Sequence, residues 1–281
     1  MERLYSLSYL TIEASPPDMI GIAAQAGYDF AGVRMMPAFP GGAAFPLMHD
    51  AAMLSETLRR IETTGVRVLD VEIARIDGHT KVETWLPMLE AAARIGARTV
   101  IAAGDDPDEA RMTATFAALC EAAADFGLTV NLEFTPWAAL SDARAATRVV
   151  EAAGKANGEI LIDTIHAARS TTTLRDIAAI APERMSYFQI CDAPAGTPAS
   201  REELLHTARQ ERLLPGEGGV DIAGMVAALP RALIVSVEVP SHGRMARMGA
   251  VAWARQTLDV SREAMRALDA GRDALALAPH A

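Results

Sequence analysis

Short apolar runs alternate with longer amphipathic stretches along almost the whole chain. The short runs are rich in Val, Ile, Leu and Phe, as strands buried on both faces require. They predict strands at Leu4 to Leu10, Phe30 to Arg34, Val66 to Ile73 and Thr99 to Ala103. The stretch Val130 to Trp137 holds a fifth strand that ends near Glu133, because Pro136 cannot donate to a ladder. Three more lie at Ile160 to Asp163, Tyr187 to Ile190 and Val235 to Glu238. Helical spacing predicts helices at Asp18 to Ala26, Ala51 to Thr64, Lys81 to Ile95 and Asp108 to Phe126. Further helices are expected at Ser141 to Ala153, Thr173 to Ile180, Asp221 to Ala228 and Ala250 to Leu268. Gly27, Gly65, Gly96, Gly127 and Gly154 stand just past predicted helix ends, the usual place for a stop.

Strands alternating with helices imply parallel pairing with crossover connections. The chain has 281 residues, slightly above the ~250 typical of a closed eight-stranded barrel. A doubly wound open sheet is the competing architecture. The closed (β/α)8 TIM barrel is preferred, because polar residues sit at the C-terminal ends of four successive strands, where barrel active sites are built. One domain over 1–281 is expected, with 269–281 as a loosely held tail. The Gly- and Pro-rich loop Met36 to Phe45 is long and apolar enough for a flap over a site. The connection Asp192 to Gly219 is unusually long.

Those polar residues carry the candidate chemistry. Side chains alternate along a strand, so Glu133, Asp163, Gln189 and Glu238 converge on the barrel mouth if their strands face them inward. An acid on an apolar strand is costly unless paired or bound to a metal. Three carboxylates and one amide oxygen, without imidazole, favour Mg²⁺ or Mn²⁺ over Zn²⁺. The plainer alternative is that each acid pairs with a nearby arginine. His166, three residues after Asp163, is placed for acid/base work or a substrate hydrogen bond, although a lone His is more often a surface group. In Arg212 to Gly218 (RLLPGEG), the backbone is glycine-rich enough for close approach to a ligand, and Arg212 suits a carboxylate or phosphate. Arg75, Glu72 and Trp137 fall near strand ends and are candidate substrate contacts; solvated charge and ordinary packing are their default roles.

Composition narrows the partners. A formal net charge of −10 argues against nucleic acid, whose affinity comes largely from Lys and Arg on phosphates. No stretch is long and apolar enough for a bilayer, and Met1 to Ile12 lacks a signal-peptide pattern. The two cysteines, Cys120 and Cys191, make no disulfide framework, and a cytoplasmic location is expected. The expected partner is a small molecule. The Met36 to Phe45 loop also suits a homo-oligomer interface.

The strand at Leu132-Glu133-Phe134, the block Asp163-Thr164-Ile165-His166, Phe188 to Asp192 (FQICD), the Pro215 to Gly218 turn and Ser236-Val237-Glu238 together resemble the xylose-isomerase-like barrels of the sugar phosphate isomerase/epimerase superfamily. The resemblance spans nearly the whole chain. It implies a divalent metal held by Glu133, Asp163, Gln189 and Glu238. It also implies that Glu133 and Glu238 double as acid/base groups, and that His166 contacts substrate. Many epimerases of the family have His where Gln189 stands. Gln there, followed by Asp192-Ala193-Pro194, is similar to the bacterial 3-dehydroshikimate dehydratases. Their arginine-containing block after the third strand has no clear counterpart, Arg75 being near it but out of register.

The expectation is an isomerase or epimerase acting on a small polyhydroxy ketone (a sugar, sugar phosphate or inosose) by α-proton abstraction through a metal-stabilised enediolate. A dehydratase of the 3-dehydroshikimate type is the alternative, and a non-catalytic sugar-binding barrel a further one. Metal-dependent apurinic endonucleases share such a barrel. The acidic balance and the absence of His at the four strand-end positions argue against that activity.

Overall fold

The computed structural model describes residues 3–277. Eight parallel strands close into a barrel in sequence order. They are β1 (Tyr5–Leu7), β2 (Phe30–Arg34), β3 (Arg67–Ile76), β4 (Thr99–Gly104), β5 (Thr129–Glu133), β6 (Gly158–Asp163), β7 (Tyr187–Ile190) and β8 (Ile234–Val237). Helices connect them on the outside, so the strands are covered on both faces, which explains their continuous apolar character. Acid or hydroxyl side chains start several helices by accepting a bond from a free backbone N–H: Asp50 from Met53, Asp108 from Arg111 and Asp142 from Ala145. Gly65 ends the Ala51–Thr64 helix at φ 74°, a conformation that a Cβ would strain.

The core has two parts. Phe30, Leu69, Ile101, Leu161, Tyr187 and Ile234 fill the inside of the barrel. At its base, Arg67 and Arg98 stack over the Phe30 ring at 4.1 and 4.6 Å. The larger apolar layer lies between strands and helices, with Trp85 and Trp253 among its largest buried side chains.

Several elements differ from the sequence expectation. β1 is shorter than Leu4 to Leu10, because the chain turns into a 3₁₀ segment at Tyr9–Thr11. The helix expected at Lys81 to Ile95 is a 3₁₀ turn, Val82–Thr84, followed by Leu86–Arg94, with Pro87 in the first turn of the latter. The long connection after β7 contains a polar helix, Arg201–Gln210, capped by Ser200. Further short helices stand at Thr164–Ala168 and His242–Met248. The tail expected to be loose from Asp269 is helical as far as Leu277, and Asp269 is tied to Arg3 at 2.7 Å. Residues 278–281 lie outside the described residues.

β3 is the irregular strand. Its register shifts against β2 between Ala31 and Val33, and against β4 between Val71 and Ala74. Such shifts re-aim side chains. They let the adjacent residues Glu72 and Ile73, and then Arg75, all face the same cavity.

Candidate active site

A cavity of about 250 Å³ opens at the C-terminal end of the barrel. Glu133, Gln189 and Glu238 line it, as do His166, Arg212, Glu72, Arg75 and Trp137. Asp163 is fully buried just beneath, paired in register with Gln189. Gln189 is in turn level with Ser236, so Glu238 stands two residues further along β8 toward the mouth. Every site residue expected from the sequence is therefore at this one end.

Asp163 does two jobs. Its Oδ1 accepts from the Ile165 N–H at 2.9 Å and caps the short helix Thr164–Ala168. That turn brings His166 back over the strand end, with Nε2 3.7 Å from Asp163 Oδ2 and 3.8 Å from Glu133 Oε1. Trp137 packs nearly perpendicular to the imidazole, at 89° with ring centroids 5.0 Å apart. Ligand atoms from Glu133, Asp163 and His166 lie within 4.8 Å of one another, a group that can hold a metal ion.

The expected alternative of acids paired to arginine holds for two of the three acids. Arg212 donates from Nη1 to Asp163 at 2.6 Å and from Nη2 to Glu238 at 2.8 Å. Its Nε donates to the Ala208 carbonyl at 2.7 Å. The guanidinium is thus engaged within the protein and braces the acids, which is a different use from the expected substrate clamp. Glu238 Oε1 also accepts from Ser8 at 2.6 Å and from Gln189 Nε2 at 3.0 Å. Gln189 Oε1 and His166 Nδ1 are buried with no hydrogen-bond partner among the described residues.

This donor set fits a divalent cation. Three carboxyl groups share the single cation Arg212, and the Gln189 amide oxygen is buried with no partner among the described residues. Burial, then the neighbouring acids, push the Glu133 carboxyl well above its ordinary range. Burial also raises Glu238, against the opposing pull of Arg212. A bound cation reverses this balance by favouring the ionised forms. Burial, reinforced by Arg212, lowers His166 to about 3, which makes it a neutral imidazole near neutral pH.

The Pro215 to Gly218 turn approaches protein rather than the cavity. Asp192 Oδ2 accepts from the N–H groups of Gly216 and Gly218, each at 3.0 Å, and Oδ1 from Val220 at 3.0 Å. A Cβ on Gly218 would lie 2.2 Å from the Ala193 carbonyl, so only glycine fits. The same segment pairs with Asp192 through Leu213 at 2.9 Å, and this fixes the start of the chain that carries Arg212.

Glu72 and Arg75 both reach the cavity, and both are already paired. Arg34 holds Glu72 through Nε at 3.0 Å and again through Nη2. Arg75 pairs with Asp105 and donates to the Ala38 carbonyl at 3.2 Å. Ala38 and Phe39 place the expected flap loop against the cavity. Sequence reasoning did not single out Ser8, Glu13, Arg209 or His242. Glu13 and His242 meet across the rim at 3.0 Å, from segments too far apart in sequence for any local signal. Arg209 rides on the unforeseen helix Arg201–Gln210.

The family model described as "Xylose isomerase-like TIM barrel" matches residues 20–268. A 3-dehydroshikimate dehydratase of Pseudomonas aeruginosa is 31% identical over 110 residues, 39% of this chain. The match spans only 17% of that protein's length. Among solved structures, a xylose isomerase-like TIM barrel/4-hydroxyphenylpyruvate dioxygenase fusion protein is 17% identical, with a TM-score of 0.79 over 96% of this chain and 44% of that one. The IOLI protein with a bound zinc atom is 16% identical, with a TM-score of 0.74 over 92% and 97% of the two chains. A D-allulose 3-epimerase from Methylomonas sp. is 16% identical, with a TM-score of 0.68 over 94% and 99%. At these identities the structural likeness is one of fold.

Proposed function

Since the chain belongs to the xylose isomerase-like TIM barrel family, we propose that it is a divalent-metal-dependent isomerase or epimerase acting on a small polyhydroxy ketone. The observation that carries this reading is the placement of Glu133 on β5 and Glu238 after β8 around one cavity, with Asp163, Gln189 and His166 between them. The epimerase fold neighbours support it.

Glu133, Asp163, Gln189 and Glu238 would hold the cation, with His166 beside them. A cation there acts as a Lewis acid on a carbonyl and makes the adjacent C–H more acidic. Hard oxygen donors favour Mg²⁺ or Mn²⁺; His166 and the zinc of the IOLI protein keep Zn²⁺ in the comparison. One glutamate takes the α-proton. If the other returns a proton to the opposite face of the same carbon, the product is an epimer. If the proton goes to the neighbouring carbon, the product is an isomer. His166, neutral under these conditions, hydrogen-bonds a substrate oxygen. Trp137 walls the pocket and keeps water from it.

Two observations favour a second reading. Gln189, and the 110-residue stretch similar to a 3-dehydroshikimate dehydratase, fit a lyase that expels a β-hydroxyl after the same proton abstraction. Proton NMR in D₂O, with Mg²⁺ or Mn²⁺ and a panel of ketoses, inososes and 3-dehydroshikimate, separates the two. Deuterium entering beside a ketose carbonyl, with a new sugar, supports the isomerase or epimerase. An aromatic product from 3-dehydroshikimate moves the assignment to the lyase. If no member of the panel gives deuterium uptake, a new sugar or an aromatic product, both readings are overturned.

Among the described residues no helix is long and apolar enough to cross a membrane. Both cysteines are free and buried, which suits a cytoplasmic enzyme. The working partner is the small-molecule substrate, with no role for nucleic acid or a membrane surface. The loop carrying exposed Phe39 is where a homo-oligomer contact would form.

A further inference from the structure

Three guanidiniums line the cavity beyond the acid cluster, those of Arg34, Arg75 and Arg209. Arg34 is neutralised by Glu72, and Arg75 by Asp105. Arg209 differs from both. Among the described residues no carboxylate pairs with it. The remaining lining acid outside the cluster, Glu13, is turned to His242.

Arg209 is nonetheless well held. Its guanidinium stacks over Phe39 at 5.1 Å and lies 5.8 Å from the Trp137 ring. Trp137 is the residue that touches His166. Arg209 is therefore one aromatic side chain away from the proposed reaction centre, and its planar fork of donors has no hydrogen-bond partner among the described residues. Holding such a fork in place reduces the entropy lost when it binds an oxyanion. Burial, and then the like charges of Arg75, Arg34 and Arg201, hold its pKa below the ordinary arginine value. Of these cations Arg34 and Arg75 have their acids, so the charge of Arg209 is the one an anion would meet.

We propose that the substrate carries an oxyanion, a carboxylate or a phosphate, at the end remote from its reacting carbonyl, and that Arg209 reads that group. This rests on the reading of the cavity as a polyhydroxy-ketone site and narrows it to acidic members of the class. Phe39 belongs to the same device, because it brings the Met36 to Phe45 loop onto the face of Arg209.

The test uses three polyols that have no carbonyl and so cannot turn over: neutral D-glucitol, the carboxylate D-gluconate, and D-glucitol 6-phosphate. Binding to the Mg²⁺-loaded protein is measured by calorimetry for the native chain, Arg209→Gln and Arg209→Lys. At least one anion is expected to bind tenfold or more tightly than D-glucitol. Arg209→Gln is expected to erase that advantage, and Arg209→Lys to keep part of it by retaining the charge. Which anion gains identifies carboxylate or phosphate as the source. Unchanged thermal stability and Mg²⁺ affinity of the variants show that the effect is local. An advantage below tenfold, including no detectable binding of any polyol, overturns the proposal, as does an advantage that survives Arg209→Gln. Deuterium uptake by neutral, carboxylated and phosphorylated ketones is followed separately. Uptake without an anion advantage leaves the proton-abstraction reading standing and removes this one. An anion advantage without uptake by any ketone does the reverse.

Discussion

The guanidinium of Arg212 lies between the carboxylates of Asp163 and Glu238, 2.6 Å from one and 2.8 Å from the other. All three groups are buried. Removing one partner from such an arrangement leaves uncompensated charge in a medium that cannot solvate it. Arg212→Met is therefore expected to destabilise the metal-free protein by about 3–5 kcal/mol. Thermal unfolding with and without Mg²⁺ checks this. The cation should recover part of the loss, because it neutralises the same acids.

Glu133→Gln and Glu238→Gln test the proton carriers. Each keeps the shape of the side chain and removes its basicity. Loss of a general base costs roughly 10²–10⁴-fold in rate. Solvent-deuterium exchange should fall by that amount in each variant, while circular dichroism stays native. Full exchange in both variants would exclude these residues from proton transfer.

The acids also predict how metal and pH interact. Burial raises the pKa of Glu133, Glu238, Glu72 and Asp70 in the metal-free fold. A carboxyl with a raised folded pKa holds more protons folded than unfolded. Its stabilising contribution is complete below the unfolded value, about 4.3 for glutamate, and is lost as pH rises through the folded value. The cation favours the ionised forms and opposes that loss. The gain in melting temperature on adding Mg²⁺ or Mn²⁺ should therefore grow from pH 5 toward pH 8. A gain that is flat or shrinks across that range would count against a carboxylate-held cation. Comparing the two forms at each pH cancels the surface acids, such as Asp269, that are held low by their arginines.

Asp192 governs the loop that delivers Arg212. It accepts from Gly216, Gly218 and Val220. Asp192→Ala leaves those N–H groups without an acceptor, at about 1–3 kcal/mol for each that stays buried. Reduced stability and weaker metal binding are expected together, since Arg212 loses its anchor. Gly218→Ala should act in the same direction, because the added methyl meets the Ala193 carbonyl. Proteolytic susceptibility of 211–220 provides the readout.

The sequence by itself determined the architecture and one ring of the site. Eight apolar runs separated by amphipathic stretches, with polar residues at four successive strand ends, favoured a closed barrel over an open sheet; most strands end close to their predicted place because burial acts on local runs of residues, while β1 stops at Leu7 and β3 runs on to Ile76. Alternation along β5, β6, β7 and β8 puts Glu133, Asp163, Gln189 and Glu238 at one mouth, since period two is a property of the strand itself. The tertiary structure decided the partners. Ser8 reaches Glu238 across 230 residues of sequence, and Arg34 reaches Glu72 across 38. Whether Arg212 clamps a ligand or braces two acids depends on what stands opposite it once the barrel closes. The register shifts of β3 turn Glu72, Ile73 and Arg75 to one side, against the alternation that sequence reading relies on. Arg209 has no local signal either. Its significance comes from two rings and from having no acidic partner among the described residues, and those relations exist only after distant segments are packed against one another.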